Sequence, residues 1–225
     1  MTDILDTIIA AKRQEIASLR AIVDIDMLIE NSSTPRPFRS MRKALDESSH
    51  GIIAEFKRKS PSKGWIKPEG DSRSLPADYE RNGAAALSIL TDTPFFGGSL
   101  RDIAMARPHT SRPILRKDFI IDEYQLYQAR IIGADAVLLI AAALDPRDCR
   151  QLAAKAASTA SQSTGSSSSA VSPLPMTRLT SPNRLRMLTV RDRSGADSSA
   201  GETVVKKGRW NWTENTVPWK ELVTT

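Results

Sequence analysis

Apolar residues follow one another along most of this chain in the two periodicities that distinguish helices from strands. Residues 3 to 23 carry apolar side chains at helical spacing, so we expect a first helix there. From residue 51 onwards, short apolar runs alternate with segments that have helical spacing. This pattern stops near position 158. The longest apolar run before that point is the nine residues from Ala136 to Leu144, and after Thr159 no run exceeds two.

Four units of a strand followed by a helix are predicted between residues 51 and 157. Such alternation indicates parallel βαβ units. A doubly wound sheet and a (β/α)8 barrel both fit, and the absence of Gly-x-Gly-x-x-Gly after the first strand disfavours a dinucleotide-binding fold. A short helix over 38–45 follows a loop over 31–37. The predicted strands are 51–57, 86–90, 113–117 and 134–140, and the predicted helices are 75–82, 99–107, 122–132 and 145–157.

Composition divides the chain into three parts. Residues 1–48 form an N-terminal helical extension, residues 49–157 hold the four βα units, and residues 158–225 form a Ser-rich tail that we expect to be largely disordered. Residues 158 to 200 contain 12 Ser in 43 positions. The net charge is +6, but residues 1–157 hold 23 Lys and Arg against 21 Asp and Glu, whereas the tail holds 9 against 5. The excess charge lies mostly in the tail, so no nucleic-acid partner is expected.

Several classes of protein are disfavoured by what the chain contains. The single cysteine, Cys149, cannot form an internal disulfide. His50 and His109 are far apart in sequence, so a zinc site is not expected. No stretch reaches the ~18 apolar residues of a membrane span, and charged residues from Asp3 onwards interrupt any signal peptide. We therefore expect a cytoplasmic protein with no membrane partner.

Charged side chains stand at the ends of two predicted strands, where a barrel has its active site. Glu55 and Lys57 are two residues apart and share one face of the first strand. Lys117 ends the third strand. Asp118 cannot be its partner on that face, because adjacent strand residues point in opposite directions. An ordinary ion pair at a strand end is the alternative interpretation of Glu55 and Lys57.

Two further segments have a composition that suits substrate binding. The basic loop from Lys57 to Gly64 contains lysines, hydroxyls and a glycine, and such a loop can hold an anion. A solvated basic loop is the alternative. The segment Phe95-Phe96-Gly97-Gly98-Ser99 offers an aromatic wall beside a turn. Core packing of both rings is the alternative there.

Five sequence motifs together resemble one known family. They are Ile53-Ala54-Glu55-Phe56-Lys57-Arg58-Lys59-Ser60-Pro61-Ser62-Lys63-Gly64, Leu87-Ser88-Ile89-Leu90-Thr91-Asp92 followed by Phe95-Phe96-Gly97-Gly98-Ser99, Pro113-Ile114-Leu115-Arg116-Lys117-Asp118-Phe119, Tyr124-Gln125, and Gly133-Ala134-Asp135-Ala136. In order and spacing they resemble indole-3-glycerol-phosphate synthase over about residues 1–157. The resemblance implies a (β/α)8 TIM barrel with an N-terminal helical extension, of which this chain holds the first four βα units.

The resemblance also implies an activity. Members of that family close the indole ring of 1-(2-carboxyphenylamino)-1-deoxyribulose 5-phosphate with loss of CO2 and water, in tryptophan biosynthesis, without a metal or organic cofactor. Lys117 would be the general acid, Lys57 would bind the anionic groups of the substrate, and Glu55 would orient Lys57 and manage protons. Residues expected to line the substrate pocket are Ser60, Pro61, Phe96, Phe119 and Leu138.

The second half of the family pattern is not recognisable after residue 157. We expect a frameshift or similar replacement near codons 157 to 160, an inactive chain, and self-association through the two strand edges that an unclosed four-stranded sheet leaves unpaired. Two other functions remain open. One is a different half-barrel enzyme acting on a phosphate sugar, and the other is a non-enzymatic binding protein that uses the basic tail.

Overall fold

The fold is a parallel sheet covered on its outer side by helices. The structure, a computed structural model, describes residues 3–161, 186–189 and 221–224. Among these residues, no helix has the length and apolar character that crossing a membrane requires. The helices are α1 (Ile4–Ile22), α2 (Ile25–Ser32), α3 (Met41–Asp46), α4 (Leu75–Arg81), α5 (Thr93–Phe96), α6 (Leu100–Ala106), α7 (Glu123–Ile132) and α8 (Pro146–Ser161). The strands are β1 (Ile52–Phe56), β2 (Lys59–Ser60), β3 (Gly64–Trp65), β4 (Ala86–Leu90), β5 (Ile114–Lys117), β6 (Ala136–Leu139), β7 (Arg186–Thr189) and β8 (Glu221–Thr224).

The central four strands are parallel and adjacent in sequence order. β1 pairs with β4, β4 with β5, and β5 with β6. In this register Glu55 lies opposite Ser88, and Leu90 lies opposite Lys117. Parallel neighbours joined through helices are the arrangement of the first half of a (β/α)8 barrel, so the predicted α/β architecture is confirmed.

Each face of the sheet packs into a core of its own. Alternate residues of a strand point to opposite faces. On the outer face the strands pack against α6, α7 and α8 through residues such as Leu87, Ile103 and Leu126. On the inner face, which would face the interior of a barrel, α3 covers the sheet. The inner cluster consists of Met41, Ile53, Ala86, Leu115, Ala136 and Leu138.

Local sequence signals explain where the helices begin and end. The Asp122 side chain accepts the backbone N–H of Tyr124, and Gln125 completes a capping box at the start of α7. Gly133 ends this helix at φ 95°, a conformation that glycine adopts without a steric penalty. The predicted boundaries of the first helix, the four strands and the helices that follow them agree with the structure to within a few residues.

The structure adds three elements that the apolar pattern did not predict. Helix α2 occupies Ile25–Ser32, capped by Asp24, where the sequence analysis assigned no element. The two-residue strands β2 and β3 form an antiparallel hairpin inside the loop that was predicted to be irregular. The short helix α5 contains Phe95 and Phe96. All three are too short for periodicity to reveal them.

The expectation of two unpaired sheet edges is wrong. β7 pairs with β1 in parallel, and β8 pairs with β6 in antiparallel orientation. The order β7-β1-β4-β5-β6-β8 describes a six-stranded open sheet in the described part of the chain. Pairing with an edge uses backbone N–H and C=O groups, which any sequence supplies, so it does not require a recognisable strand pattern. The predicted disorder of residues 158–225 otherwise concerns positions outside the described residues.

Candidate active site

A buried carboxylate joins the two lysines that the sequence analysis singled out. Glu55 lies near the end of β1 and is 3% exposed. Its Oε1 accepts from Lys57 Nζ at 2.7 Å, and its Oε2 accepts from Lys117 Nζ at 2.9 Å. The first contact confirms that Glu55 and Lys57 share a face. The second confirms that β1 and β5, which both flank β4, direct their polar ends to the same place.

Burial and the neighbouring charges shift the pKa values of Lys117 and Glu55. Burial lowers the pKa of Lys117 and outweighs the opposing effect of Glu55, and the nearby Lys57 lowers it further. Burial alone would raise the pKa of Glu55, but Lys117 and Lys57 together hold it below its usual value. Glu55 is therefore ionised at neutral pH. Lys117 is an ammonium group that gives up its proton more readily than an exposed lysine does, which suits a general acid.

Two aromatic rings, one following β4 and one following β5, lie close to each other. The ring centroids of Phe96 and Phe119 are 6.1 Å apart, with a tilt of 38° between the rings. Phe95, Phe96 and Phe119 are all half-buried. Phe95 and Phe96 are therefore not fully buried in the core, as the alternative interpretation of that segment required. Phe119 follows Lys117 by two residues, so this aromatic pair belongs to the same end of β5 as the lysine.

The remaining predicted pocket residues differ in their surroundings. Leu138 is buried in the inner core cluster beside Leu115. Ser60 is 9% exposed, and its Oγ has no hydrogen-bond partner among the described residues. Pro61 is exposed at the turn of the β2–β3 hairpin. Leu138 and Ser60 are thus buried and Pro61 is exposed, and their role in a substrate pocket stays a prediction.

The basic loop is anchored rather than free. Arg58 donates to Asp102 through Nη1 at 2.6 Å and Nη2 at 2.8 Å, and it also donates to the carbonyl oxygens of Gly70 and Gly97. Lys59 Nζ donates to Pro94 O at 2.8 Å. These bonds fasten the loop after β1 to the loop after β4. Arg58 and Lys59 therefore have a structural role. Neither the anion-binding nor the solvated-loop interpretation predicted this role.

A buried charge network, which no pattern in the sequence predicts, joins α1 to the residues that follow β4 and β5. Lys12 of α1 is 1% exposed, and its Nζ lies 3.1 Å from Asp118 Oδ1 and 3.2 Å from Asp92 Oδ2. Asp118 also accepts from Arg116 Nη2 at 2.9 Å and from Thr91 Oγ1 at 2.6 Å. Burial would raise the pKa of Asp118, but Arg116 and Lys12 lower it to about 2. A lysine within an amphipathic helix pattern gives no signal of such a partner.

The network connects the N-terminal extension to the segments that carry the aromatic rings. Asp118 Oδ1 accepts the backbone N–H of Phe119 at 2.9 Å. Asp92 Oδ1 accepts the backbone N–H of Phe95 at 2.9 Å and thereby caps α5. Helix α1 is thus attached to the carboxyl ends of β4 and β5.

Comparison with known proteins places this arrangement in a family. The sequence model of the family described as indole-3-glycerol phosphate synthase matches residues 5–162. The chain belongs to this family. It is 58% identical over 156 residues to the indole-3-glycerol phosphate synthase of Bacteroides thetaiotaomicron, a match that covers 69% of the chain and 60% of that protein. The resemblance stated from the motifs is confirmed.

Further relatives show the same extent of similarity. The indole-3-glycerol phosphate synthase of Neisseria meningitidis serogroup B is 46% identical over 160 residues, covering 69% of the chain and 62% of that protein. The enzyme of the same name from Aromatoleum aromaticum is 43% identical over 162 residues, covering 70% and 62%. The chain thus spans about 60% of the length of the curated relatives that it matches. The family-model match over residues 5–162 covers the helical extension and the four βα units.

Proposed function

We propose that the described part of this chain supplies the ring-closing half of an indole-3-glycerol phosphate synthase site. The observation that carries the proposal is the contact of Glu55 with both Lys57 and Lys117, together with the paired rings of Phe96 and Phe119 that follow β4 and β5. A carboxylate between two lysines, next to an aromatic pair, suits a substrate that combines an aromatic ring with negative charges. The family relationship supports the same substrate, an anilino-deoxyribulose phosphate.

In the proposed reaction Lys117 acts at the ribulose carbonyl. A carbon–carbon bond forms between the carbonyl carbon and the ring carbon that bears the carboxylate, while the carbonyl oxygen takes a proton from Lys117 Nζ and becomes a hydroxyl. CO2 then leaves that ring carbon, and its bonding electron pair restores the aromatic ring. Loss of the hydroxyl as water, with one proton, completes the pyrrole ring.

Lys57 and Glu55 have supporting roles in this proposal. Lys57 is half-buried beside the β2–β3 hairpin and would hold an anionic group of the substrate through its ammonium charge. Glu55 holds both ammonium groups in place, and its charge opposes the burial that lowers the pKa of Lys117. Phe96, Phe119 and Leu138 would contact the aromatic ring, and Ser60 Oγ would supply a hydrogen bond. Acting on soluble metabolites of amino-acid synthesis, the protein would work in the cytoplasm.

We also propose that this chain by itself does not turn over substrate. The match to the family model ends at residue 162, and we recognise no acid, base or phosphate-binding motif beyond that point. The first test is complementation of a tryptophan-requiring strain that lacks the synthase. The chain alone is expected to give no growth, and growth at the rate of a complete synthase would contradict the proposed inactivity.

The role of Lys117 is tested in a fused protein. Residues 1–157 are continued by the part of the Bacteroides relative that lies beyond the matched region, and indole-glycerol phosphate is measured by its fluorescence. We expect turnover, and a loss of at least about 100-fold in Lys117→Met, because a positioned acid contributes ~10²–10⁴. Lys63→Met, which removes an exposed lysine of the loop, is the matched control. Equal rates for Lys117→Met and its parent would refute the assigned role.

A further inference from the structure

A cluster of arginines surrounds one carboxylate at the amino-terminal ends of the strands. Asp135 precedes β6 and is 0% exposed. It accepts from Arg36 Nη1 at 3.0 Å, from Arg107 Nη1 at 2.8 Å and from the backbone N–H of Ile114 at 3.0 Å. Its oxygens are thus occupied by two guanidinium groups and the backbone, and it has little capacity left for further cations.

Several guanidinium donors in this region have no acceptor. Arg130 is 3% exposed, and its Nη1 and Nη2 are buried without a partner among the described residues. The Nε atoms of Arg36 and Arg107 are likewise buried without a partner among these residues. Arg112 Nε makes no hydrogen bond either, but it lies 3.5 Å from Glu80 Oε1 in an ion pair. Burial lowers the pKa of Arg107 to about 10, against the effect of Asp135, and the charges of Arg39 and Arg36 lower it further. Positive charge therefore exceeds negative charge here.

An open pocket of about 420 Å³ adjoins this cluster. It lies between α3 and the loops that precede β4 and β5. The guanidinium group of Arg39 is half-buried in its wall, and no described residue accepts a hydrogen bond from it. Glu47 is the acidic residue of the lining, but it is exposed and 3.8 Å from Lys43. The polar groups of the wall include Arg39, Lys43, Arg112, Ser40, Ser48 and Ser111.

We propose that this pocket, formed by Arg39, Lys43 and Arg112 at the amino-terminal ends of the strands, binds a small oxyanion of the phosphate class. Guanidinium groups match the tetrahedral oxygens of phosphate with paired N–H donors. The Lys43 ammonium group and the hydroxyls of Ser40, Ser48 and Ser49 complete a set of donors suited to such an ion. The Ser111 hydroxyl donates to Glu80 instead.

This site is separate from the proposed catalytic site. Lys57 and Lys117 lie at the carboxyl ends of the strands, whereas the pocket lies at their amino-terminal ends. In a (β/α)8 barrel these are opposite faces. A phosphate bound here would not be the reacting substrate, so the inference stands independently of the proposed function.

The test is a titration of the full chain with inorganic phosphate, followed through the Nε–H signals of arginine in ¹H–¹⁵N spectra. Sodium chloride at matched ionic strength is the reference. We expect saturable shifts of the Arg39 and Arg112 signals with phosphate and small, non-saturating shifts with chloride. Arg39→Gln should weaken phosphate binding by at least about tenfold, because it removes a charge-assisted hydrogen bond.

Matched variants separate this pocket from other sources of phosphate binding. Arg112→Gln, at a partly exposed position, should weaken binding similarly and guards against misfolding of Arg39→Gln. Arg101→Gln removes an exposed cation near the carboxyl end of β4 and should leave the titration unchanged. Equal responses to phosphate and chloride, or saturation unaltered in both pocket variants, would overturn the proposal.

Discussion

Replacing Lys12 by methionine tests whether the buried network holds the N-terminal extension on the sheet. The substitution keeps the length and apolar stem of the side chain but removes its ammonium group. Asp118 and Asp92 then lose a cation that lies within 3.2 Å of both. Breaking a buried ion pair by removing one partner costs ~3–5 kcal/mol. Asp118 keeps Arg116 and Thr91 as partners, so we expect about 3 kcal/mol, at the lower end of that range.

The pH dependence of stability provides a second arm of this test. The pKa of Asp118 is about 2 in the folded chain, below the ordinary value of 3.8. The folded state thus favours the ionised form, which contributes roughly 2 kcal/mol above pH ~4. This contribution is lost as the pH falls from about 4 towards 2. In Lys12→Met one of the two cations is gone, so the pKa of Asp118 rises towards its ordinary value and less stability is lost between about pH 4 and pH 2.

The measurement is urea unfolding followed by circular dichroism at neutral pH and at several acidic pH values. Lys63→Met removes an exposed lysine and is expected to change the free energy of unfolding by less than about 0.5 kcal/mol. If Lys12→Met does not fold in water and Lys63→Met does, this outcome supports a stabilising role of the Lys12 network. A loss below about 1 kcal/mol in Lys12→Met, with an acid profile like that of the parent, would refute it.

Three other changes have expected outcomes that follow from contacts at the site. Lys117→Met should raise the pKa of Glu55, because the carboxyl group stays buried and loses one of its two neighbouring cations. A ¹³C titration of the Glu55 carboxyl group measures this pKa, and an unchanged value would show that Glu55 and Lys117 do not interact. Arg58→Lys should lose the paired bonds to Asp102 and speed tryptic cleavage in the loop after β1, with Lys63→Arg as the control that keeps the cleavage site. Gly98→Ala should destabilise the chain by about 3 kcal/mol, because the alanine Cβ would lie 2.2 Å from the backbone oxygen of Leu90. A midpoint of thermal unfolding equal to that of the parent chain would contradict this.

The sheet and the cluster of Glu55, Lys57 and Lys117 were predictable because the sequence signals of each strand are local. Apolar runs ending in charge located the strands, and the two-residue period placed Glu55 and Lys57 on one face. The contact between Glu55 and Lys117, 62 residues apart, follows once the strands are taken as parallel, since their carboxyl ends then meet at one edge. The motif resemblance assigned roles to these residues that periodicity alone does not supply.

The features that escaped prediction depend on contacts between distant segments. Lys12 sits in an ordinary helical pattern, and only the docking of α1 on the sheet makes it a buried partner of two carboxylates. Arg58 stands in a basic run that resembles a solvated loop until Asp102 is brought beside it. The pairing of β7 and β8 uses the backbone, which leaves no pattern in the side chains.

The sharing of one carboxylate by two ammonium groups sets an electroneutrality limit on this half of the site. Glu55, Lys57 and Lys117 together carry a single surplus positive charge. An anilino-deoxyribulose phosphate brings about three negative charges at neutral pH, nearly two from the phosphate and one from the benzoate group. Roughly two counter-charges would have to come from elsewhere. Whatever completes this site must therefore be cationic or rich in N–H donors. The charge that it places opposite Lys117 is the first property to examine in any protein segment that is joined to residues 1–157.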